Sequence, residues 1–211
     1  KLFDLCIKLK RGGALGCLVS GGCLPDGSVP LQKFASVLSR IKSELGLTVF
    51  VHSGIIDDET AIQLKGAGVD AVLIDIIGSD ATIQEIYNLD TTVKNYEDSL
   101  KALNKAEMAF IPHVITGLHQ GKLKGELNAL RMIAPYKPSA LVIISFMPIP
   151  GTTMAKIVPP TSTDISRVIT VARIMFHQTP LVLGCMRPKG KHRAETDVLA
   201  LKAGVNGIAF P

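Results

Sequence analysis

A chain of 211 residues is within reach of one domain, and 47% hydrophobic against 19% charged residues supplies a large buried core, which excludes a disordered segment. The formal charge of +5 favours anionic ligands. Lys and Arg are nonetheless dispersed, aromatics make up 5% and Trp is absent, so the stacking platforms of a single-stranded nucleic-acid groove are missing and no nucleic-acid partner is expected.

The longest nearly apolar run, residues 140–150, holds two prolines and falls short of the ~20 residues of a membrane helix, so a soluble protein with no membrane partner is expected. The chain opens on Lys1 and shows no basic head, apolar core and small-residue cleavage site of a secretory signal. Four cysteines, Cys6, Cys17, Cys23 and Cys185, are few for this length, and reduced thiols in a cytoplasmic protein are expected.

In chain order, a helix over residues 2–10 leads into an apolar run at 14–19, and a helix at 31–45 into a run at 47–51. A helix at 57–65 precedes 71–77, two helical stretches at 81–87 and 93–105 precede 109–115, and 123–133 precedes 140–146. Helices at 165–176 and 193–203 precede runs at 181–186 and 207–210. The runs are continuous in Val, Ile and Leu, the pattern of strands buried on both faces of a parallel sheet. Gly68-Val69-Asp70-Ala71 and Gly204-Val205-Asn206-Gly207 are near copies of one joint, in which glycine closes a helix and valine opens a strand.

The unit is helix then strand, seven times over a single domain of residues 1–211. This predicts an incomplete (β/α)8 TIM-like barrel of seven parallel strands, with a first strand and its loop expected before Lys1 and a last helix after Pro211. Ligand chemistry in such folds gathers at the C-terminal ends of the strands. Those positions hold Ser20, Gly21, Gly22 and Cys23, then His52, Asp75, His113, Thr116, Gly117 and His119, then residues 147–153 and 184–190.

Each group has two readings. Ser20-Gly21-Gly22 lets backbone approach a ligand closely or is a tight turn. His52, His113 and His119 are metal ligands or hydrogen-bonded polar groups; Asp75 is the sole carboxylate on a core strand, and no metal held by this chain's residues is expected. The basic segment from Arg187 to Arg193 holds a phosphate or carboxylate, or is a solvated loop. Residues 148–154 form a proline-stiffened loop or simply reverse the chain. The four cysteines lack the local spacing of a cluster site and read as structural thiols.

The order Ser20-Gly21-Gly22, His113-Val114-Ile115-Thr116-Gly117-Leu118, Pro150-Gly151-Thr152 and Val171-Ala172-Arg173-Ile174-Met175 resembles the biotin-synthase branch of radical S-adenosylmethionine enzymes, and an archaeal-type subgroup more than biotin synthase itself. The resemblance covers nearly the whole chain. It implies that Ser20, Gly21 and Gly22 bind the methionyl amino group, with Cys23 where the family's Gly-Gly-Glu segment has glutamate. It also implies that the family's Gly-x-Ile-x-Gly stretch, here beginning on His113, supports the adenine through Ile115, Thr116, Gly117 and Leu118. His52 and Asp75 join this expected cofactor site, while His119, Gly151, Thr152, Met186 and Arg187 are expected on the substrate side.

Cys17 matches one ligand of biotin synthase's second cluster, but Phe50, Ile111 and Val182 occupy the other three positions, so sulfur insertion is not expected. The family's Cys-x-x-x-Cys-x-x-Cys loop follows the first strand, the element the helix-strand count places before Lys1. The intact protein would use S-adenosylmethionine and a four-iron, four-sulfur (4Fe-4S) cluster to form a 5'-deoxyadenosyl radical acting on a small-molecule substrate, with a reductant protein as a further partner; the 211-residue form would be inactive. Two alternatives stand beside it: a barrel lyase or aldolase binding an anionic small molecule, and a non-catalytic barrel that has lost its cluster.

Overall fold

The computed structural model describes residues 1–210. Helix α1 (Leu2–Arg11) leads into β1 (Gly16–Val19); a 3-10 turn (Leu31–Phe34) and α2 (Ala35–Leu45) lead into β2 (Thr48–Ser53), and α3 (Asp58–Gly66) into β3 (Ala71–Asp75). The short α4 (Asp80–Thr82) runs on as a π turn (Ile83–Tyr87), and α5 (Val93–Lys105) precedes β4 (Phe110–Thr116). Then come α6 (Glu126–Ile133), β5 (Leu141–Ser145), α7 (Ser162–Met175), β6 (Leu181–Leu183), α8 (Lys191–Lys202) and β7 (Gly207–Ile208). No helix among the described residues is long and apolar enough to cross a membrane.

The seven strands form one sheet in the order β1 to β7, and the registered pairs are all parallel. Strand order that simply follows the chain belongs to a (β/α) barrel, because a doubly wound sheet reverses its order midway. The expected incomplete TIM-like barrel of seven parallel strands is therefore the fold found. Boundaries move for local reasons. Residues 123–125 stay outside α6 because Gly125 caps it at φ +104°, and α7 starts at Ser162 because the Thr161 side chain accepts the Asp164 N–H.

The chain packs as two compact units, one of Lys1–Ile74 with Lys94–Ile111, the other running from Asp75 to Val93 and from Pro112 onward. In the first, α2 buries Leu38 and Ile41, β2 buries Val49 and Val51, and α5 buries Leu100 and Leu103. In the second, Leu130 and Ile133 of α6, Leu141 and Ile143 of β5, and Ile165 and Ile169 of α7 are fully buried. In β2, β4, β5 and β6 only one phase of the strand is fully covered. Along β5, Leu141, Ile143 and Ser145 are buried while Val142 and Ile144 are partly open, which corrects the expectation of two equally buried faces.

The repeated joint has the same construction in each unit. Gly68 and Gly204 adopt φ +77° and +96°, left-handed values that cost glycine little, and end α3 and α8. Two residues later, an acceptor side chain reaches the start of the strand that precedes in sequence. Asp70 Oδ2 accepts the Val49 N–H at 2.7 Å, and Asn206 Oδ1 accepts the Leu181 N–H at 2.9 Å. Each acceptor also takes a cation from the preceding helix, Lys42 at 2.6 Å for Asp70 and Arg173 for Asn206. Valine does not open the strand, as the repeat alone implies; β3 starts at Ala71 and β7 at Gly207, after the clamp residue.

Partial burial raises the Asp70 pKa, but the Lys42 and Val49 hydrogen bonds outweigh this and hold the carboxyl below the ordinary aspartate range. A depressed carboxyl contributes stability above its unfolded pKa, and that contribution is lost as pH falls through the folded one. Asp70→Ala should thus cost about 1–3 kcal/mol at neutral pH, and the loss should shrink below pH ~4. Urea unfolding at several pH values checks this, and a loss independent of pH would contradict it.

Candidate functional site

In the first unit, β1 ends at Val19 and residues 20–24 leave regular structure, with Ser20, Gly21, Gly22 and Cys23 all exposed. The loop closes on itself through the Leu24 N–H to Ser28 carbonyl bond at 2.7 Å, and Asp26 accepts the Ser28 N–H and hydroxyl. Its base is fixed to the end of β2: the Ile55 N–H donates to the Gly27 carbonyl at 2.9 Å, and a Cβ on Gly54 would lie 1.8 Å from that oxygen. Gly54 is therefore required by close backbone approach.

Gly21 and Gly22 carry no such requirement. Neither has positive φ; a Cβ on Gly22 would meet nothing within 4 Å, and one on Gly21 would make an ordinary 3.4 Å contact with Val29. Beside them opens a cavity of about 280 Å³, walled by Val19, Val29, Leu31 and Phe34. His52 stands half-buried on β2.

In the second unit, Asp75 ends β3 and lies 3.2 Å from His113 Nδ1. Along β4, His113 and Ile115 share one partly open face, while Val114 and Thr116 share the fully buried one. Thr116 is thus turned away from His113 and Ile115. Gly117 then turns the chain at φ +73°, where a Cβ would run into the Pro160 ring at 2.5 Å. Leu118 lines a small cavity with Ile76, Thr82, Ile115 and Glu126. His119 is held at the edge of this cluster, with Nδ1 3.3 Å from the Thr82 hydroxyl and Nε2 3.3 Å from Lys124 Nζ.

Glu126, which the sequence did not single out, is buried here at the first position of α6. Its Oε1 accepts the Gly117 N–H at 2.8 Å. Burial pushes its pKa up, partly countered by the backbone N–H groups of Gly117, Glu126 and Lys124. The available signal was a carboxylate directly behind a glycine at a helix start.

The basic segment is largely spent on the chain itself. Arg187 is completely buried, with Nε 2.6 Å from Asp197 Oδ1 and Nη2 3.0 Å from Oδ2, and it donates to the carbonyls of Gly184, Ala209 and Phe210. Arg193 bonds the Phe210 carbonyl, and His192 Nε2 lies 2.9 Å from the Pro160 carbonyl. Met186 is partly exposed beside this segment. Gly151 and Thr152 form an exposed turn, closed by the Thr152 hydroxyl on the Ile149 carbonyl at 2.8 Å.

The cysteines do not make a cluster donor set. Cys6 is buried, Cys23 and Cys185 are exposed, and among the described residues no group of three metal-ligating side chains contains a cysteine. Burial first, then the neighbouring Cys6 thiol with which it hydrogen-bonds, pushes Cys17 up to about 11, which favours the neutral thiol.

This geometry defines an incomplete TIM-type barrel with ligand-accessible strand ends. No family model matches the chain. Biotin synthase from Ruthia magnifica subsp. Calyptogena magnifica is 29% identical over 185 residues, covering 85% of this chain and 55% of that protein. Biotin synthase from Neorickettsia sennetsu is 28% identical over 210 residues, covering 95% and 62%. Methylornithine synthase (PylB) superposes on 98% of this chain and 60% of its own with a TM-score of 0.71 at 18% identity. The chain is related to the biotin-synthase-like branch of the radical S-adenosylmethionine proteins, and it spans 55–62% of the length of the two biotin synthases.

The role of Arg187 can be measured directly. Arg187→Ala leaves Asp197 without its guanidinium partner and the Gly184 and Ala209 carbonyls without that donor, and should cost about 3–5 kcal/mol in urea unfolding, as removal of one partner of a buried pair does. A cost below about 1 kcal/mol, typical of a surface pair, would return Arg187 to the ligand side.

Proposed function

We propose that this chain is the S-adenosylmethionine-binding barrel of a radical enzyme acting on a small molecule. The observation that carries the reading is the sequence relationship to biotin synthases along 85–95% of the chain, which includes the strand-end segments already described. The glycines at 21 and 22 support it. The fold has no need of glycine at either position, and bare backbone there admits close approach of a ligand.

On this reading, carbonyl oxygens of Ser20, Gly21 and Gly22 accept from the methionyl ammonium group. Ile115 and Leu118 present apolar surface to the adenine. Asp75 and His113, 3.2 Å apart, offer an acceptor and a donor to the ribose hydroxyls, and the Asp75 carboxylate fixes the orientation of the imidazole. His52 borders the cofactor from β2. His119, Gly151, Thr152 and Met186 remain substrate-side candidates, whereas the bonds of Arg187 fit it to holding the β6 loop.

The cofactor would carry the radical chemistry, and the barrel would bind, orient and keep water from it. The 4Fe-4S cluster implied by the relationship does not fit the four cysteines of this chain, and no step through a cluster is assigned to them.

Isothermal titration calorimetry of the 211-residue chain with S-adenosylmethionine and S-adenosylhomocysteine tests the reading. Weak binding of both is expected. Gly21→Val should weaken it by at least about tenfold, equivalent to 1.4 kcal/mol, with an unchanged melting temperature because only Val29 lies near the new side chain. Equal affinity in Gly21→Val and the parent would reject this placement.

A further inference from the structure

Four polar side chains gather in the second unit without taking part in the cofactor contacts proposed above. Thr82 and Glu85 come from the segment after β3, His119 and Lys124 from the loop after β4. His119 Nδ1 lies 3.3 Å from the Thr82 hydroxyl, while its Nε2 lies 3.3 Å from Lys124 Nζ and 3.8 Å from Glu85 Oε2.

These contacts assign the ring hydrogen. A lysine ammonium can only donate, so the Nε2 that faces it carries the lone pair and Nδ1 carries the hydrogen. Nδ1–H then donates to Thr82, whose own hydroxyl donates to the Lys124 carbonyl at 3.5 Å. Thr82 is 1% exposed, which fixes the ring on that side. At 3.8 Å Glu85 is too far to share a hydrogen bond with Nε2, so its carboxylate is a second acceptor beside the same lone pair.

Both acceptors stand on fixed backbone. In the His119 loop the Gly121 N–H donates to the Gly117 carbonyl at 2.8 Å, and the Lys122 N–H to the His119 carbonyl at 3.0 Å. Gly121, at φ +79°, packs so closely that a Cβ would lie 1.9 Å from the Val158 carbonyl oxygen. Glu85 sits on the π turn Ile83–Tyr87, a form of turn that recurs at functional sites. The Ser79 hydroxyl accepts the Thr82 N–H at 3.3 Å before this turn, and Asp80 accepts the Val93 N–H at 2.7 Å beyond it. Lys124, by contrast, is exposed on a flexible four-carbon stem that can swing away.

We propose that His119 Nε2 and Glu85 form a binding site for a primary ammonium group of the substrate, and that Lys124 is the chain's own amine occupying it until substrate arrives. Thr82 is the positioning residue that keeps the Nε2 lone pair available. The inference rests on the reading of this barrel as an enzyme acting on a small molecule, and it narrows that molecule to an amine. An internal amine lowers the apparent affinity for an external one by the fraction of time the site is free. Removing Lys124 therefore strengthens amine binding, whereas a site that used Lys124 to hold an anion would be lost with it.

Calorimetry on the 211-residue chain with n-butylammonium, and with n-butyrate as its anionic counterpart, decides the matter. Lys124→Met, a change at an exposed side chain, should bind n-butylammonium about tenfold or more tighter than the parent. Adding Glu85→Gln to Lys124→Met should remove that gain, and n-butyrate should bind none of these chains. Nitrogen-15 NMR of the His119 ring supplies a second readout, with the hydrogen expected on Nδ1.

Equal n-butylammonium affinity in Lys124→Met and the parent, n-butyrate binding that disappears with Lys124, or a ring hydrogen on Nε2 and not on Nδ1 overturns the proposal. If S-adenosylhomocysteine fails to bind while n-butylammonium behaves as expected, the cofactor reading fails and the amine site stands.

Discussion

The clamp formed by Asp70 in the first unit and Asn206 in the second is the constraint on which the strand ends depend. In each case a left-handed glycine stops a helix, and an acceptor side chain then satisfies an N–H at the start of the preceding strand, that of Val49 or Leu181, while a cation from the helix before that strand neutralises or supports it. These bonds lie at the N-terminal ends of β2 and β6. With register and helix packing fixed there, the opposite ends can carry loops selected for chemistry, a division of labour general to parallel barrels.

That division explains which glycines are structural. Gly54, Gly78, Gly117 and Gly125 sit where backbone or a proline ring leaves no room for a Cβ, and they lock the loops that follow β2, β3 and β4. Gly22 sits in open space just beyond β1, and Gly21 would make only an ordinary contact with Val29. A pair of glycines that folding does not demand thus borders a 280 Å³ cavity in the first unit.

The fold was legible in the sequence because helix-strand alternation and continuous Val, Ile and Leu runs are local signals, and all seven strands fell on predicted runs, most of them shortened at an end, with β2 and β4 running on to Ser53 and Thr116. The partial opening of one strand face was not legible, since apolar residues occupy both phases. Of the site, Ser20 to Gly22 and His113 to Leu118 could be found by order and spacing. Thr116 could be found but not oriented, because only the strand phase shows that it shares the buried face with Val114. Arg187 read as a ligand-side cation because its partner Asp197 lies ten residues away on the next helix, a pairing that composition does not reveal. Glu126 was invisible for a related reason: its significance is a 2.8 Å bond to an amide nine residues earlier, made possible by the Gly125 and Gly78 packing.

The proposal put forward for this chain is S-adenosylmethionine binding with the methionyl group at the end of β1. Hydrogen-deuterium exchange on the 211-residue chain, with and without saturating S-adenosylhomocysteine, tests it most directly, because bound ligand slows exchange only at amides it covers or orders. Slowed exchange at the peptide holding residues 20–22 is the predicted result. Unchanged exchange there, or protection centred on residues 187–193, would contradict the account.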